Sequence, residues 1–180
     1  DTLCHAFPDV RIFAPALEHY NFRHTPVSET DKLHCAEWLP AATVLDLPGH
    51  TLGHVSFYME HFGQRWLFCG DTLFGAGCGR LFEGTPQQMF TSLQKLAALP
   101  ADTLVYCTHE YTLHNINFAL SLEPHNAALI QRQRETAALR NSGLPSLPST
   151  ISLELATNPF LRCNTSQIQL AVQSEHKPPL

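Results

Sequence analysis

Three short β-prone runs each end on a side chain that can bind metal, and this recurrence constrains the chain more than any other feature. Thr43-Val44-Leu45-Asp46-Leu47 is closed by Pro48-Gly49 and followed by His50. The run from Arg65 to Cys69 leads directly into Gly70-Asp71, and the run from Thr103 to Cys107 into Thr108-His109. Such runs, bounded by turn-forming residues, read as strands. Strand ends of a mixed sheet are rigid and can converge at one edge, which is what metal ligands require. A glycine beside the ligating position lets the backbone turn sharply. Alone, a His or Asp after a strand is ordinarily a solvated, hydrogen-bonding or capping residue. The joint pattern points to His50, Asp71 and His109 as metal ligands. Imidazole with carboxylate suits zinc, iron or manganese. Two His and one Asp cannot complete the shells of two ions, so further ligands are required.

The remaining pattern is mixed. Asp9 to Ala14 reads as a strand, residues 18–42 as loop with a short edge strand, and Val55 to Met59 as a strand turning at Gly63. Thr85-Pro86-Gln87-Gln88 predicts a helix start, with Thr at the N-cap, Pro first in the helix and Gln three residues on. Met89, Leu93, Leu96 and Ala97 form its apolar stripe. Residues 112–122 read as helix, and a further helix runs from about Pro124 to Asn141, stopped by Gly143. The rest reads as Pro- and Ser-rich loop, with a short strand near Phe160 to Arg162. Strands and helices alternate only in places, so the class is α/β.

A chain of 180 residues suits one domain with a real core. Its formal net charge is −5 and its basic residues do not cluster, which argues against a nucleic-acid or membrane partner. No apolar run reaches the roughly 18 to 20 residues of a membrane span, and no signal peptide is visible. None of the six cysteines stands at C-x-x-C spacing, and several lie in apolar runs. A reducing cytoplasm is therefore expected. A monomer is the separate expectation for assembly. Cys78 and Cys107 lack an adjacent base in sequence and read as core rather than as nucleophiles. Residue 1 is not Met, and the tail stops on Lys177-Pro178-Pro179-Leu180 with no helix-ending signal, so a fragment is expected.

Four stretches carry a resemblance. They are Pro48-Gly49-His50-Thr51-Leu52-Gly53-His54; Phe68-Cys69-Gly70-Asp71-Thr72-Leu73-Phe74; Gly77-Cys78-Gly79-Arg80-Leu81-Phe82-Glu83-Gly84-Thr85; and Tyr106-Cys107-Thr108-His109-Glu110-Tyr111-Thr112. In order, and with Asn158-Pro159-Phe160, they resemble the glyoxalase II (hydroxyacylglutathione hydrolase) family of the metallo-β-lactamase superfamily. The third and fourth are the more particular to that family.

The resemblance implies part of a metallo-β-lactamase αββα sandwich over residues 1–110, then a mainly helical substrate-binding region over 111–180. It implies two divalent metal ions, zinc first, with iron or manganese as alternatives. His50 would bind one ion, His109 the other, and Asp71 would bridge them. His54 shares the motif and is expected as hydrogen-bonding support. Arg80 and Tyr111 are the implied substrate-binding residues. Phe82 stands where some members have Tyr, so a contact through that hydroxyl is lost. Water activated by the ions would attack the thioester carbonyl of S-(2-hydroxyacyl)glutathione, such as S-D-lactoylglutathione, releasing glutathione and D-lactate in methylglyoxal detoxification. The family's other ligands come from a His-x-His-x-Asp-His motif, which this sequence lacks, and its final helix carries basic residues for the glutathione carboxylate. The 180-residue stretch alone is therefore expected to be inactive and poorly soluble. A persulfide dioxygenase-like enzyme with one iron on the same fold is a competing expectation. An inactive, non-enzymatic domain is the other.

Overall fold

The computed structural model of the protein describes residues 2–175 except 35, 37 and 38. Its elements are α1 (Thr2–Ala6), β1 (Phe13–Pro15), β2 (Thr25–Val27), β3 (Lys32–Leu33), β4 (Ala42–Asp46), β5 (Val55–His61), β6 (Gln64–Gly70), β7 (Leu73–Phe74), β8 (Gly77–Cys78), α2 (Pro86–Ala97), β9 (Leu104–Cys107), α3 (Thr112–Leu122), α4 (Ala127–Asn141), β10 (Ser149–Thr150), α5 (Ile151–Thr157) and α6 (Ser166–Glu175). Six strands form one sheet in the order β10-β9-β6-β5-β4-β3. β6 and β9 run parallel, and the other neighbours in that sheet run antiparallel. The parallel pair consists of the two strands that lead into Asp71 and His109, so both residues emerge at the same sheet edge.

Alternation along the strands builds two cores. Leu45 and Leu47, Leu67 and Cys69, and Val105 face one side and pack on Met89, Leu93 and Leu96 of α2 and Ile151 of α5. Ala42 and Val44 face the other side and meet Val27 and Leu33, with Phe57 and Met59 against them. A period of two is the geometry of a pleated strand. Each fully buried Leu contributes roughly 1.5–3 kcal/mol, so the α2 stripe is a main anchor of the sheet. On the second side, Phe68 stacks on Tyr106 at 5.3 Å and stays 43% exposed.

Helix starts follow local chemistry. Thr85 Oγ1 accepts from the Gln88 backbone N–H, and Gln88 Oε1 accepts from that of Thr85, with Pro86 leading α2. This is the capping box read from the sequence. α4 begins at Ala127 rather than near Pro124, because the Asn126 side chain caps it by accepting from Leu129 N–H. Gly143, at φ +73°, ends it as expected.

The structure corrects three expectations. The first strand is Phe13–Pro15 only, because Val10 N–H closes a turn onto the Phe7 carbonyl just before it. Residues 160–162 are a turn rather than a strand, with Leu161 and Arg162 N–H bonded back to Asn158 and Pro159 carbonyls. The C-terminal stretch holds β10, α5 and α6 where loop was expected. There Thr150 caps α5 by accepting from Leu153 N–H, while β10 pairs with β9. Cys69, Cys78, Cys107 and Cys163 are free thiols; Cys35 and the Cys4 side chain lie outside the described residues. No described helix is long and apolar enough to cross a membrane.

Candidate metal centre

The three strand-terminal side chains meet. Asp71 Oδ2 faces His50 Nε2 at 3.8 Å, and Asp71 Oδ1 faces His109 Nε2 at 3.3 Å. One carboxylate thus stands between two imidazoles, each opposite a different oxygen. His50 arrives on the turn after β4, Asp71 after β6 and His109 after β9.

Each side chain is oriented by a neighbour. The His50 Nδ1 lies 2.8 Å from the Arg80 carbonyl. A carbonyl can only accept, so Nδ1 carries the proton and the Nε2 lone pair is turned toward Asp71. Imidazoles that bind metal are ordinarily held by such a second hydrogen bond. Thr108 Oγ1 lies 2.6 Å from Asp71 Oδ1 and donates to it. The His109 ring stacks on Tyr111 at 4.9 Å and an interplanar angle of 17°.

His54 is committed elsewhere. The Asp71 backbone N–H donates to His54 Nε2 at 3.0 Å, which leaves the proton on Nδ1, facing Thr72 Oγ1 at 3.2 Å. Both ring nitrogens are therefore used in support of the Asp71 turn. Burial pushes the His54 imidazole below its ordinary pKa, and the Asp71 charge opposes that shift in part. Gly70 has φ +54°, and a Cβ there would stand 2.6 Å from His54 Nε2. A Cβ on Gly79 would stand 1.8 Å from the Asp71 carbonyl oxygen. Glycine at 79 is what lets the 79–84 loop approach Asp71 this closely.

The expected substrate-side residues flank the centre from both sides. Phe82 lies 4.8 Å from the His50 ring, and the Arg80 guanidinium lies over Phe82 at 5.8 Å. Tyr111 is half exposed beside His109, with Phe74 5.4 Å away. Arg80 also lines a cavity of about 490 Å³, with Gly79, Leu81, Met89, Phe90 and Phe160. The Thr108 hydroxyl, the Arg80 main-chain carbonyl and the Phe74 ring went unassigned in the sequence. Adjacency to His109 was the one available signal for Thr108; a carbonyl contact thirty residues away leaves none.

These donors fit one side of a two-ion site. The carboxylate spans two imidazoles whose lone pairs can face a cation, and the donor types suit divalent ions. They do not close a shell. Among the described residues, no group of three or more His, Cys, Asp or Glu side chains could hold one ion together. That agrees with the two imidazoles lying opposite different oxygens.

Residues 39–109 match the family model described as metallo-beta-lactamase superfamily. Residues 110–179 match the one described as hydroxyacylglutathione hydrolase C-terminus. A hydroxyacylglutathione hydrolase of Methylobacillus flagellatus is 58% identical over 170 residues, which is 94% of this chain and 66% of that protein. One of Pseudomonas fluorescens is 48% identical over 161 residues, 89% of this chain and 61% of its own. The chain thus spans somewhat less than two thirds of the length of these relatives. Among solved structures, ETHE1 from Myxococcus xanthus superposes with a TM-score of 0.63 at 20% identity, covering 99% of this chain and 63% of that one. TTHA1623 in a di-iron-bound form gives a TM-score of 0.58 at 25% identity, over 89% and 69%. The fold and the convergent strand ends are those of a metallo-β-lactamase-superfamily protein. Within that class, the chain belongs to the hydroxyacylglutathione hydrolase family.

Proposed function

We propose that the protein hydrolyses S-(2-hydroxyacyl)glutathione thioesters, such as S-D-lactoylglutathione, to glutathione and a 2-hydroxy acid. The observation that carries this reading is the Asp71 carboxylate standing between His50 and His109 in a chain of this family. His50 and Asp71 would hold one divalent ion, and His109 with Asp71 the second; zinc is the first choice, iron or manganese the alternatives. Such a pair supplies Lewis acidity, lowering the pKa of water from 15.7 to about 7 and stabilising charge on a carbonyl oxygen. The protein's own residues supply orientation. Arg80 carbonyl and Thr108 hydroxyl fix the donors, and Phe82 and Tyr111 present aromatic faces on either side. The Arg80 guanidinium is suited to a carboxylate or a peptide carbonyl of the glutathionyl group. The thiolate leaves readily, since thiols ionise near 8.5. The meeting of the two family-model matches at residues 109 and 110 supports a division into a catalytic part to 110 and a helical substrate-binding part beyond it. Four free thiols support a reducing compartment such as the cytoplasm.

The open coordination favours a second reading for the 180-residue chain alone: weak metal binding and slow or absent turnover. Elemental analysis combined with thiol release from S-D-lactoylglutathione separates the two. Metal-dependent release that is lost in Asp71→Asn supports the hydrolase. Two bound ions without release overturn it, and no bound metal with no release supports the second reading.

A further inference from the structure

Fully buried polar side chains of the C-terminal region reach the hairpin that follows Asp71. Glu154 of α5 and Asn158 at its C-terminal cap are both 0% exposed. They contact the backbone of the β7–β8 hairpin at its turn. Asn158 Nδ2 lies 3.2 Å from the Phe74 carbonyl and 2.9 Å from that of Gly77, and Ala76 N–H donates to Glu154 Oε2 at 2.9 Å. Asn158 Nδ2 also lies 3.0 Å from Glu154 Oε2, which ties the two together. Arg132 of α4 balances the carboxylate, with NH2 2.5 Å from Oε1.

The turn they hold is one the chain does not favour alone. Ala76 takes φ +54°, a left-handed conformation that costs energy for a residue with a Cβ. A strained turn persists where its surroundings over-determine it. A buried carboxylate and amide are a costly way to fill a core, since apolar groups of similar volume often stabilise as well or better. What they add here is direction.

The hairpin joins two parts of the candidate centre. It starts two residues after Asp71 and ends two before Arg80, whose carbonyl orients His50. At its base, Gly79 N–H donates to the Thr72 carbonyl at 3.0 Å. Gly79 also lies so close to the Asp71 carbonyl that no side chain would fit between them, so the base of the hairpin rests directly on the Asp71 turn.

We propose that Asn158 and Glu154 are positioning residues of this centre: by clamping the β7–β8 turn they deliver the Arg80 carbonyl to His50 Nδ1. The proposal rests on the reading of His50 as a metal ligand. Its function is to keep the His50 Nε2 lone pair turned toward Asp71.

The test compares Asn158→Leu with Thr157→Val in the full chain. Thr157→Val removes the neighbouring hydrogen bond from Arg132 NH1, which leaves the hairpin bonds in place. Two readouts are taken at one pH: the tautomer of His50 from 15N-histidine NMR of the metal-free chain, and cobalt(II) affinity from the visible absorption of the bound ion. The expected result for Asn158→Leu is a shift of His50 away from the Nδ1–H tautomer and a loss of cobalt(II) affinity of about 10- to 100-fold. Thr157→Val should lower the melting temperature and move neither signal. Should Asn158→Leu fail to fold, Asn158→Ser, which keeps one hydroxyl donor, is expected to shift both signals in the same direction by less. A folded Asn158 variant with parental His50 signals overturns the proposal, as does a Thr157→Val that shifts them equally. Failure of the parent chain to bind cobalt(II) would overturn the metal reading, while the tautomer comparison would still decide the positioning role.

Discussion

The Arg80 carbonyl accepts a hydrogen bond from His50 Nδ1 at 2.8 Å, so a main-chain atom on one loop sets the orientation of a side chain on another. Gly79 makes the contact possible, because a Cβ there would fall 1.8 Å from the Asp71 carbonyl oxygen. Gly79→Ala is expected to displace the 79–84 loop. Overpacking of this kind costs roughly 1–3 kcal/mol, and the displaced carbonyl should weaken cobalt(II) binding by about 10-fold or more. Urea titration and cobalt(II) absorption check the two effects. Parental values in both would show that the loop does not bear on His50.

The α2 cap gives a prediction about stability alone. Thr85→Ala removes the oxygen that accepts from Gln88 N–H. Losing such a cap costs about 1 kcal/mol, which in a chain of this size lowers the melting temperature by about 2–4 °C. Cobalt(II) affinity should not change, since the Thr85 hydroxyl bonds within the cap, to Gln88, and the bond from Ser92 Oγ of α2 to the Pro48 carbonyl near His50 is left in place. Differential scanning calorimetry measures the first quantity and absorption titration the second.

The capping box was legible because it is local: four consecutive residues specify it. The three strands leading to His50, Asp71 and His109 were legible for a similar reason, since β-prone runs and turn residues are read over short windows. Their convergence was legible only as a joint pattern. The clamp on the β7–β8 turn was not legible from spacing, because Asn158 and Gly77 are separated by 81 residues and nothing local to either marks the contact. Helices α5 and α6 were hidden behind the Pro- and Ser-rich composition before them. Just before α5, Ser149 and Thr150 form β10 and Thr150 caps the helix, although their composition reads as loop.

Stability should fall in alkali. Burial pushes the Cys78 thiol from its ordinary value of 9.0 up to about 12, and raises those of Cys69 and Cys107. Below pH 9 the Cys78 thiol is protonated in both folded and unfolded chains, so its contribution is complete. Between 9 and 12 the unfolded chain ionises first, and each pH unit then removes about 1.4 kcal/mol. Stability is thus lost as pH rises through this window. Urea midpoints taken at intervals across it should decline, and Cys78→Ala should decline less steeply. Equal slopes in the two proteins would show that Cys78 ionisation is not the cause.

The Arg132–Glu154 pair should be intolerant of a single change. Both side chains are nearly or fully buried, and Arg132 also donates to Thr157 and Ser149. Arg132→Met leaves the carboxylate buried without its counter-charge, a loss of about 3–5 kcal/mol when such a pair is broken. The exposed pair of Lys95 with Glu29 is a contrast. Lys95→Met should cost roughly 1 kcal/mol or less, because surface pairs are screened by solvent. Denaturant unfolding of the two variants under one set of conditions tests the ranking, and equal losses would contradict it.

Thr108 offers the gentlest probe of Asp71. Its hydroxyl donates to Asp71 Oδ1 at 2.6 Å and also lies 3.2 Å from the Gly70 carbonyl. Thr108→Val keeps the shape and removes that donor. The site is exposed, so water can replace the bond, and the fold should lose only about 0.5–1.5 kcal/mol. The carboxylate, however, is freed to rotate away from the line between His50 and His109. Cobalt(II) affinity should therefore fall by about 10-fold, less than in Asp71→Asn, where the charge itself is gone. Thr108→Ser, which restores the hydroxyl, should recover most of the affinity. If valine and serine bind cobalt(II) equally well, Asp71 is held by something other than Thr108.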